Sequence, residues 1–367
     1  MAESALEAPG KKDDIMEKIP VAILAATGSV GQRFVQLLDN HPWFEVVALT
    51  GSDRSIGQEY GESCHWILPE AMPAWAARLE VKPTLPEAVG SVPLVFSALP
   101  ASIARDAEPL FARAGAAVCS NASAYRREPD VPILLPEVNA DHAGIVPLQR
   151  QRRGWTGCIV TNPNCTSTGL TVVLKALQAR FGLRKVFAVS LQALSGAGYP
   201  GVPSLDIIDN VIPYISDEEG KMEWETRKML GKFNGSQLEL ASFIVSAHTN
   251  RVAVTDGHTV CFSVELEESA SPEEAQRALL DYQPPEISRG LPSTPNPVIV
   301  VRSEPDRPQP RLDRNTGKGM TTVVGRLRAD PLFDLKMVVL SHNTVRGAAG
   351  GAIYNGELLT SMELLAK

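Results

Sequence analysis

The stretch from residue 19 to residue 55 reads IPVAILAATGSVGQRFVQLLDNHPWFEVVALTGSDRS. It opens with a short apolar run, Val21 to Leu24, and closes with a second one, Phe44 to Leu49. An apolar run without polar alternation is typical of a parallel strand that is buried on both faces. Between the two runs lies a glycine-containing turn, followed by apolar residues at helical spacing. The pattern therefore predicts a βαβ unit, which is the unit from which dinucleotide-binding sheets are built.

The turn of this unit is the first candidate site. Its spacing is A-x-x-G-x-x-G, with Ala25 where a dinucleotide motif often has its first glycine. A turn without bulky side chains lets backbone N–H groups reach a pyrophosphate, and the following helix adds a positive partial charge. A plain structural turn is the alternative, since tight turns often use glycine. We expect five residues to contact the cofactor here: Thr27, Gly28, Ser29, Val30 and Gly31.

The loop after the second strand indicates which cofactor is bound. It reads Gly51-Ser52-Asp53-Arg54-Ser55. A guanidinium beside two hydroxyl groups suits a 2′-phosphate, so Ser52, Arg54 and Ser55 favour NADP. Asp53 leaves NAD open, because an acidic residue at this place accepts hydrogen bonds from ribose hydroxyls. An ordinary polar surface loop is the third interpretation.

Two more apolar runs, Pro93–Ala98 and Ala116–Ser120, predict further strands of the same sheet. Ligands of open α/β sheets lie at the carboxyl ends of the strands, so Ser97 and Leu99 are candidate cofactor contacts. The segment from Pro69 to Leu85 has several prolines and no clear period, and we expect a loop-rich insertion there.

A cysteine stands at the start of a predicted helix. The sequence Asn162-Pro163-Asn164-Cys165-Thr166-Ser167 leads into apolar residues at helical spacing. Thr166 and Ser167 are good capping residues, which places Cys165 at the helix N-terminus, where the dipole stabilises a thiolate. A nucleophilic cysteine needs this environment. The alternative is a small buried side chain, as most free cysteines are.

Two basic residues are candidate partners of this thiol. His258 begins a predicted strand next to Gly257, and a thiol nucleophile needs a base that exchanges its proton. Arg251 stands at a predicted strand end, where its guanidinium could bind a carboxylate in bidentate fashion. A structural role remains the alternative for each residue.

Composition excludes several other classes of protein. The chain has 367 residues, a net charge of −7 and 44% hydrophobic residues. No stretch has the roughly 18 apolar residues of a membrane span, and no basic cluster suggests nucleic acid. Five cysteines without a C-x-x-C pair, together with scattered histidines, favour a reducing cytoplasmic compartment and no bound metal. The first residues lack the apolar core of a secretory signal.

Taken together, these motifs resemble the aspartate-semialdehyde dehydrogenase family, in particular its archaeal and fungal branch. The resemblance extends from about residue 20 to about residue 355. Departures are small: Ala25 replaces a usual glycine, and Ala253 stands where proline is common. The matching stretches are AATGSVGQRF, SNASAYRRE, LPEVNADH, TNPNCTSTGL, VSLQALSGAGYPG, DEEGKMEWETRKMLG, NRVAVTDGHT and SHNTVRGAAGGAI.

The resemblance implies an NADP-dependent reductive dephosphorylation of L-aspartyl 4-phosphate to L-aspartate 4-semialdehyde, a step in the biosynthesis of lysine, threonine, methionine and isoleucine. It implies that Cys165 forms an acyl-thioester, that His258 acts as acid and base, and that Gln192 orients the substrate. The implied substrate contacts are Arg251 for the α-carboxylate, Glu225 for the amine, Lys228 and Arg126 for the phosphate, and Asn164 or the Cys165 N–H for the oxyanion. The implied additional cofactor contacts are Ser195, Gly196 and Asn343.

The resemblance and the strand pattern together give the fold class: α/β, with a Rossmann-type nucleotide-binding domain and an α+β catalytic and dimerisation domain. We expect a mobile tail over residues 1–19, the NADP-binding domain over 20–164 and the catalytic domain over 165–344. A C-terminal helix, 345–367, should return to the first domain. The resemblance also implies a homo-oligomer, either a dimer or a tetramer.

Three enzyme alternatives and one binding alternative stay open. A malonyl-CoA reductase-like enzyme would share the scaffold, but its substrate has no amine for Glu225. An N-acetylglutamyl-phosphate reductase-like enzyme is more distant. A cysteine hydrolase leaves the βαβ glycine turn unexplained. A cofactor-sensing regulator has no need of a nucleophile, so the set Cys165, Gln192 and His258 argues against it.

Overall fold

The computed structural model describes residues 17–366. The predicted tail over residues 1–19 therefore lies largely outside the described residues. The first strand already begins at Ile19, so the predicted end of the tail comes one residue too late. Within the described part of the chain, no helix has both the length and the apolar character needed to cross a membrane.

The first sheet is parallel throughout and has six strands in the order β3-β2-β1-β4-β5-β6. This is the strand order of a doubly wound nucleotide-binding sheet, so the predicted α/β class is confirmed. The order reverses between β1 and β4, and ligands bind at the carboxyl ends of the strands at such a point. The strands are β1 (Ile19–Leu24), β2 (Phe44–Thr50), β3 (Val81–Lys82), β4 (Leu94–Ser97), β5 (Ala117–Ser120) and β6 (Cys158–Thr161).

The edge strand β3 lies inside the segment Pro69–Leu85, for which a loop-rich insertion was expected. Val81 pairs with Leu49 of β2, and Lys82 pairs with Thr50. That expectation is wrong at this point. A strand of two residues shows no period in the sequence, and only its neighbour in the sheet reveals it.

The second sheet is mixed and has six strands in the order β10-β7-β11-β14-β13-β12, beside a separate two-stranded ribbon β8-β9. This agrees with the expectation of an α+β second half. The remaining strands are β7 (Lys185–Gln192), β8 (Lys232–Phe233), β9 (Leu238–Glu239), β10 (Ile244–Arg251), β11 (His258–Glu265), β12 (Ile299–Val301), β13 (Thr322–Ala329) and β14 (Leu335–Ser341).

Helices pack on both faces of the first sheet. In the described part of the chain they pack on only one face of the second sheet, where α8, α10 and α11 lie. The helices are α1 (Ser29–Leu37), α2 (Tyr60–Ser63), α3 (Ala74–Ala77), α4 (Pro86–Val89), α5 (Ala101–Arg113), α6 (Pro136–Asn139), α7 (Val146–Arg153), α8 (Cys165–Phe181), α9 (Ser204–Ile207), α10 (Glu218–Met229), α11 (Pro272–Leu280), α12 (Pro310–Asp313) and α13 (Gly350–Ser361).

After the second sheet the chain crosses back to the first one. A single π-helical turn, Val345–Ala349, leads into α13, whose residues pack against β4, β5 and α1. Arg346 in this turn forms a buried ion pair with Glu137. Short π-helical segments are frequent at functional sites. This one lies between the two sheets, beside the N-terminus of α8.

Candidate active site

Cys165 is the first residue of α8, as the sequence predicts. The cap is Asn164, however, not Thr166 or Ser167. The side-chain oxygen of Asn164 accepts hydrogen bonds from the backbone N–H groups of Thr166 and Ser167, at 2.9 and 3.2 Å. Asparagine is among the strongest N-capping residues, and it fixes the direction in which the helix starts.

The imidazole of His258 lies against this cysteine, because β11 begins there. Its Nε2 is 3.2 Å from Cys165 Sγ. Its Nδ1 accepts a hydrogen bond from the backbone N–H of Ala193, at 3.0 Å. The proton of the neutral ring is therefore on Nε2, the atom that faces the sulfur.

Burial disfavours the charged form of both groups. It raises the pKa of the Cys165 thiol to about 12, and the Glu218 carboxylate adds to the rise, while Arg126 and Arg251 oppose it. Burial lowers the pKa of His258 to about 3, and the charge of Arg251 acts in the same direction. Burial at this site therefore opposes the stabilisation of a thiolate by the helix N-terminus.

Arg251 and Gln192 end two neighbouring parallel strands, β10 and β7, where they are paired in register. One guanidinium nitrogen of Arg251, Nη1, donates to the carbonyl of Ala193 at 2.7 Å. The Gln192 side chain is buried, and its Nε2 lies 3.2 Å from Glu218 Oε2. Sheet register therefore brings both predicted residues to the end of the sheet where His258 begins β11.

A cavity of about 350 Å³ contains the sulfur and separates the carboxyl ends of the two sheets. Charged groups of both signs line it, together with backbone of the turn before α13. The cavity lining includes Val30, Leu99, Asn121, Arg126, Cys165, Ser195, Gly196, Glu218, Lys221, Arg251, Asn343 and Gly347.

Two glycines let backbone approach the reacting groups closely. A Cβ at Gly347 would lie 2.8 Å from Cys165 Cβ, and a Cβ at Gly196 would lie 2.8 Å from Arg251 Nη1 and 2.9 Å from His258 Cε1. Real Cβ atoms do not make such contacts, so any side chain at either position would displace the catalytic groups.

Comparison with known proteins places this site in a family. The model of the semialdehyde dehydrogenase NAD-binding domain matches residues 20–145, and that of the semialdehyde dehydrogenase dimerisation domain matches residues 174–346. The aspartate-semialdehyde dehydrogenase of Archaeoglobus fulgidus is 52% identical over 94% of this chain and 99% of its own. That of Schizosaccharomyces pombe is 46% identical over 94% and 99%.

The chain belongs to the aspartate-semialdehyde dehydrogenase family. Among solved structures, aspartate-semialdehyde dehydrogenase with NADP from Candida albicans is 42% identical, with a TM-score of 0.87 over 95% of this chain and 100% of that one. The resemblance to the archaeal and fungal branch is confirmed by these relatives.

Two substrate contacts expected from the aspartate-semialdehyde dehydrogenase resemblance do not face the cavity. Both oxygens of Glu225 are already bound, one by Arg126 Nη1 at 3.0 Å and the other by the backbone N–H of Asn164 at 2.6 Å. Lys228 Nζ donates to the carbonyls of Arg126, Glu128 and Val131, at 2.7, 2.9 and 2.8 Å. An ammonium has three donors, so none is left for a phosphate. Both groups are thus engaged within the fold in the free protein, and the roles that the resemblance implies for Glu225 and Lys228 stay predictions.

The residues that do reach the cavity lie one to two turns earlier on α10. Glu218 and Lys221 line it beside Cys165, and they form an ion pair of 3.0 Å. They repeat the spacing of Glu225 and Lys228 seven residues earlier, on a similar face of the helix. The sequence thus contains the E-x-x-K pattern twice, and position along the helix determines which pair lines the cavity with Cys165.

Arg126 and Asn164 lie close to the sulfur, and some of their hydrogen-bonding groups already have partners within the protein. Arg126 lines the cavity, donates to Glu225 and Asn121, and leaves its buried Nε without a partner. Asn164 Nδ2 donates to Glu218 at 2.8 Å while its oxygen caps α8. One amide hydrogen of Asn164 Nδ2 therefore remains for the expected oxyanion contact, and the Cys165 N–H, an orphan of the first helical turn, is the second candidate donor.

The glycine turn fits a dinucleotide. Ala25 adopts a left-handed φ of 57°, which explains why family members often have glycine there. A Cβ at Gly31 would meet Ala25 O at 2.3 Å, so α1 packs as closely on β1 as a phosphate-binding turn requires. Thr27, Gly28, Ser29 and Val30 surround the mouth of this turn, none of them fully buried.

The other expected cofactor contacts divide into accessible and buried residues. Ser52 and Arg54 are exposed at the end of β2, whereas Ser55 is buried and its hydroxyl donates to Ser52 O at 2.9 Å. Leu99, Ser195, Gly196 and Asn343 line the cavity, and Asn343 Nδ2 donates to Ser195 Oγ at 2.7 Å. Ser97 is fully buried beneath it. Ser55 and Ser97 therefore support the binding surface from behind.

Proposed function

We propose that this protein catalyses the NADP-dependent reductive dephosphorylation of L-aspartyl 4-phosphate to L-aspartate 4-semialdehyde. The observation that supports it most strongly is the placement of Cys165 and Arg251 in one cavity that adjoins the glycine turn, with His258 against the sulfur. Membership of the aspartate-semialdehyde dehydrogenase family supplies the substrate and the place in lysine, threonine, methionine and isoleucine biosynthesis.

Cys165 is the nucleophile of this proposal. Its sulfur bonds to the β-acyl carbon, the carbon–oxygen bond to phosphate breaks, the departing phosphate takes up the thiol proton, and an acyl-thioester remains on the enzyme. NADPH, when bound, would supply the hydride that reduces this thioester. Because Nδ1 of His258 accepts the Ala193 N–H, the ring carries its proton on Nε2, and His258 would act as an acid through this atom, passing a proton to the departing sulfur and regaining one from solvent.

The charges of the cavity match the rest of the substrate. Arg251 suits the α-carboxylate as a bidentate partner. Glu218 suits the α-amine, and Gln192 positions Glu218 from behind. Lys221 and Arg126 supply positive charge for the phosphate. We favour these assignments over Glu225 and Lys228, because the latter two already have partners within the fold.

NADP is the cofactor of this proposal, since the relative from Candida albicans is solved with it and the turn of this chain has the required close packing. The exposed Arg54 with Ser52 would hold the 2′-phosphate, and the backbone of Gly28 to Val30 the pyrophosphate. Leu99, Ser195, Gly196 and Asn343 would surround the nicotinamide end.

We also propose that the chain divides into residues 20–164, with 345–367 returning to them, and residues 165–344. The second unit forms a homo-oligomer, because no helix of residues 17–366 packs on one face of its sheet, and this face exposes apolar side chains such as Phe187 and Ile244. The protein acts in the cytoplasm on a small-molecule substrate, without nucleic acid or membrane.

A direct assay tests the activity. The protein should form NADPH from aspartate semialdehyde only when phosphate is present, and Cys165→Ser should lower the rate at least about a thousandfold with unchanged thermal stability. Malonate semialdehyde with CoA serves as the comparison substrate. Faster turnover with that pair would favour the malonyl-CoA reductase-like alternative, and a fully active Cys165→Ser would exclude the thioester route.

A further inference from the structure

A second cavity, of about 370 Å³, adjoins the first, because Ser195, Gly198 and Thr344 line both. One wall of it is α1. Ser29, the first residue of that helix, and Arg33, one turn further on, project from the same face. The opposite wall belongs to the second half of the chain and includes Thr255 and Asp256, next to His258 in sequence.

Arg33 is an incompletely compensated cation in this wall. Its Nη1 donates to Gln36 Oε1 at 2.6 Å, but its Nε is buried without a partner. Burial lowers the pKa of Arg33, while Asp256 and Glu70 favour its charged form from a distance. Over residues 17–366, no carboxylate approaches it within the 4.0 Å of an ion pair.

We propose that Arg33 is a further cofactor-binding residue, and that its guanidinium holds the dinucleotide's pyrophosphate on the nicotinamide side. This inference rests on the proposed function. A pyrophosphate at the N-terminus of α1 lies over Ser29, and Arg33 is the cation on that face one turn below. A guanidinium binds phosphate oxygens as a planar fork, which would satisfy the unpaired Nε.

The connection of the two cavities decides which half of the cofactor Arg33 meets. The two cavities share Ser195 and Thr344 as lining residues, and the first of them contains Cys165, where hydride must be delivered. The loop with Ser52 and Arg54 lies at the end of β2 instead, on the adenosine side. Arg33 and Arg54 therefore divide the cofactor's phosphates between them.

Asp256 offers a competing explanation, because a carboxylate on the opposite wall could make Arg33 a bridge between the two halves of the chain. The two explanations predict different effects of Asp256→Asn. If Arg33 binds pyrophosphate, removing this negative charge leaves NADPH affinity unchanged or tightens it. If Arg33 acts through Asp256, the variant loses affinity as Arg33→Gln does.

Equilibrium binding to the full chain tests the inference, with NADPH and adenosine 2′,5′-bisphosphate as probes and intrinsic fluorescence or calorimetry as readout. Arg33→Gln should weaken NADPH binding about ten- to a hundredfold, the range of a charge-assisted hydrogen bond, and the bisphosphate less than about threefold. Arg54→Gln should weaken both probes. Arg33→Lys should keep part of the NADPH affinity, and it replaces the glutamine variant if that variant does not fold.

The outcomes separate this inference from the proposed function. A wild-type protein that does not bind NADPH contradicts the proposed function itself. If the wild type binds and Arg33→Gln binds equally well, Arg33 is no cofactor ligand. Equal losses for both probes, or an equal loss in Asp256→Asn, would assign Arg33 a structural role and overturn the inference.

Discussion

The reactivity of a single sulfur depends here on the competition between a helix terminus and burial. The N-terminus of α8 favours a thiolate at Cys165, but desolvation and the Glu218 carboxylate favour the thiol. A sequence shows the helix start, because capping residues and apolar spacing are local. It does not show how deeply the helix start lies, or that a carboxylate 53 residues away faces it.

Glu218 should therefore control the reactivity of Cys165. Glu218→Gln removes a negative charge that raises the thiol pKa, so the alkylation of Cys165 by iodoacetamide should shift to lower pH. Below its pKa, the wild-type rate should rise about tenfold per pH unit, because only the thiolate reacts. Peptide mass spectrometry resolves Cys165 from the other four cysteines.

Glu219→Gln is the matched control for this experiment. The Glu219 carboxylate accepts a hydrogen bond from the backbone N–H of Thr249, on the other side of α10. The alkylation profile of this variant should coincide with the wild-type profile. Identical profiles for Glu218→Gln and wild type would show that Glu218 does not set the thiol pKa.

At the scale of elements, the sequence predicts strands and helices well where they are long and apolar. The predicted apolar runs Val21–Leu24 and Phe44–Leu49 lie within β1 and β2, and the start of α8 was predicted at Cys165. The two-residue strand β3 was missed, because its identity depends on a neighbour rather than on its own pattern. For the same reason, the sequence does not show which of the two E-x-x-K pairs on α10 lines the cavity with Cys165.

The close packing of α1 on β1 at Gly31 can be tested by substitution. Gly31→Ala should destabilise the protein by about 1–3 kcal/mol and weaken NADPH binding, because its Cβ would lie 2.3 Å from Ala25 O, a backbone atom that cannot move freely. Gly28→Ala is the control for stability alone, since the nearest atom to its added Cβ is 3.6 Å away and its φ is −76°. Thermal melting and NADPH titration measure both effects. Equal stabilities of the two variants would contradict the close packing of α1 on β1.

For the whole molecule, the topology brings together the residues proposed to be catalytic. Cys165 starts a helix, Gln192 and Arg251 end parallel strands, and His258 starts an antiparallel one. Family resemblance predicted this set from order and spacing along the chain, and the sheet register explains why those positions meet. The π-helical turn Val345–Ala349 was not predicted, because its Gly/Ala-rich sequence is also typical of an ordinary helix.

The uncovered face of the second sheet leads to a prediction about assembly. Among the residues that the structure describes, helices pack on only one face of this sheet. Ile244 and Phe187 lie on its other face, where they are 61% and 37% exposed. A sheet must bury its apolar face against another layer, and a second copy of this chain supplies one. Ile244→Asp should therefore shift the oligomer toward monomer in light-scattering chromatography, because association would bury an unpaired carboxylate. Ile103→Asp, on α5 and 52% exposed, should leave the mass unchanged. A wild-type monomer, or dissociation by Ile103→Asp alone, would place the interface elsewhere.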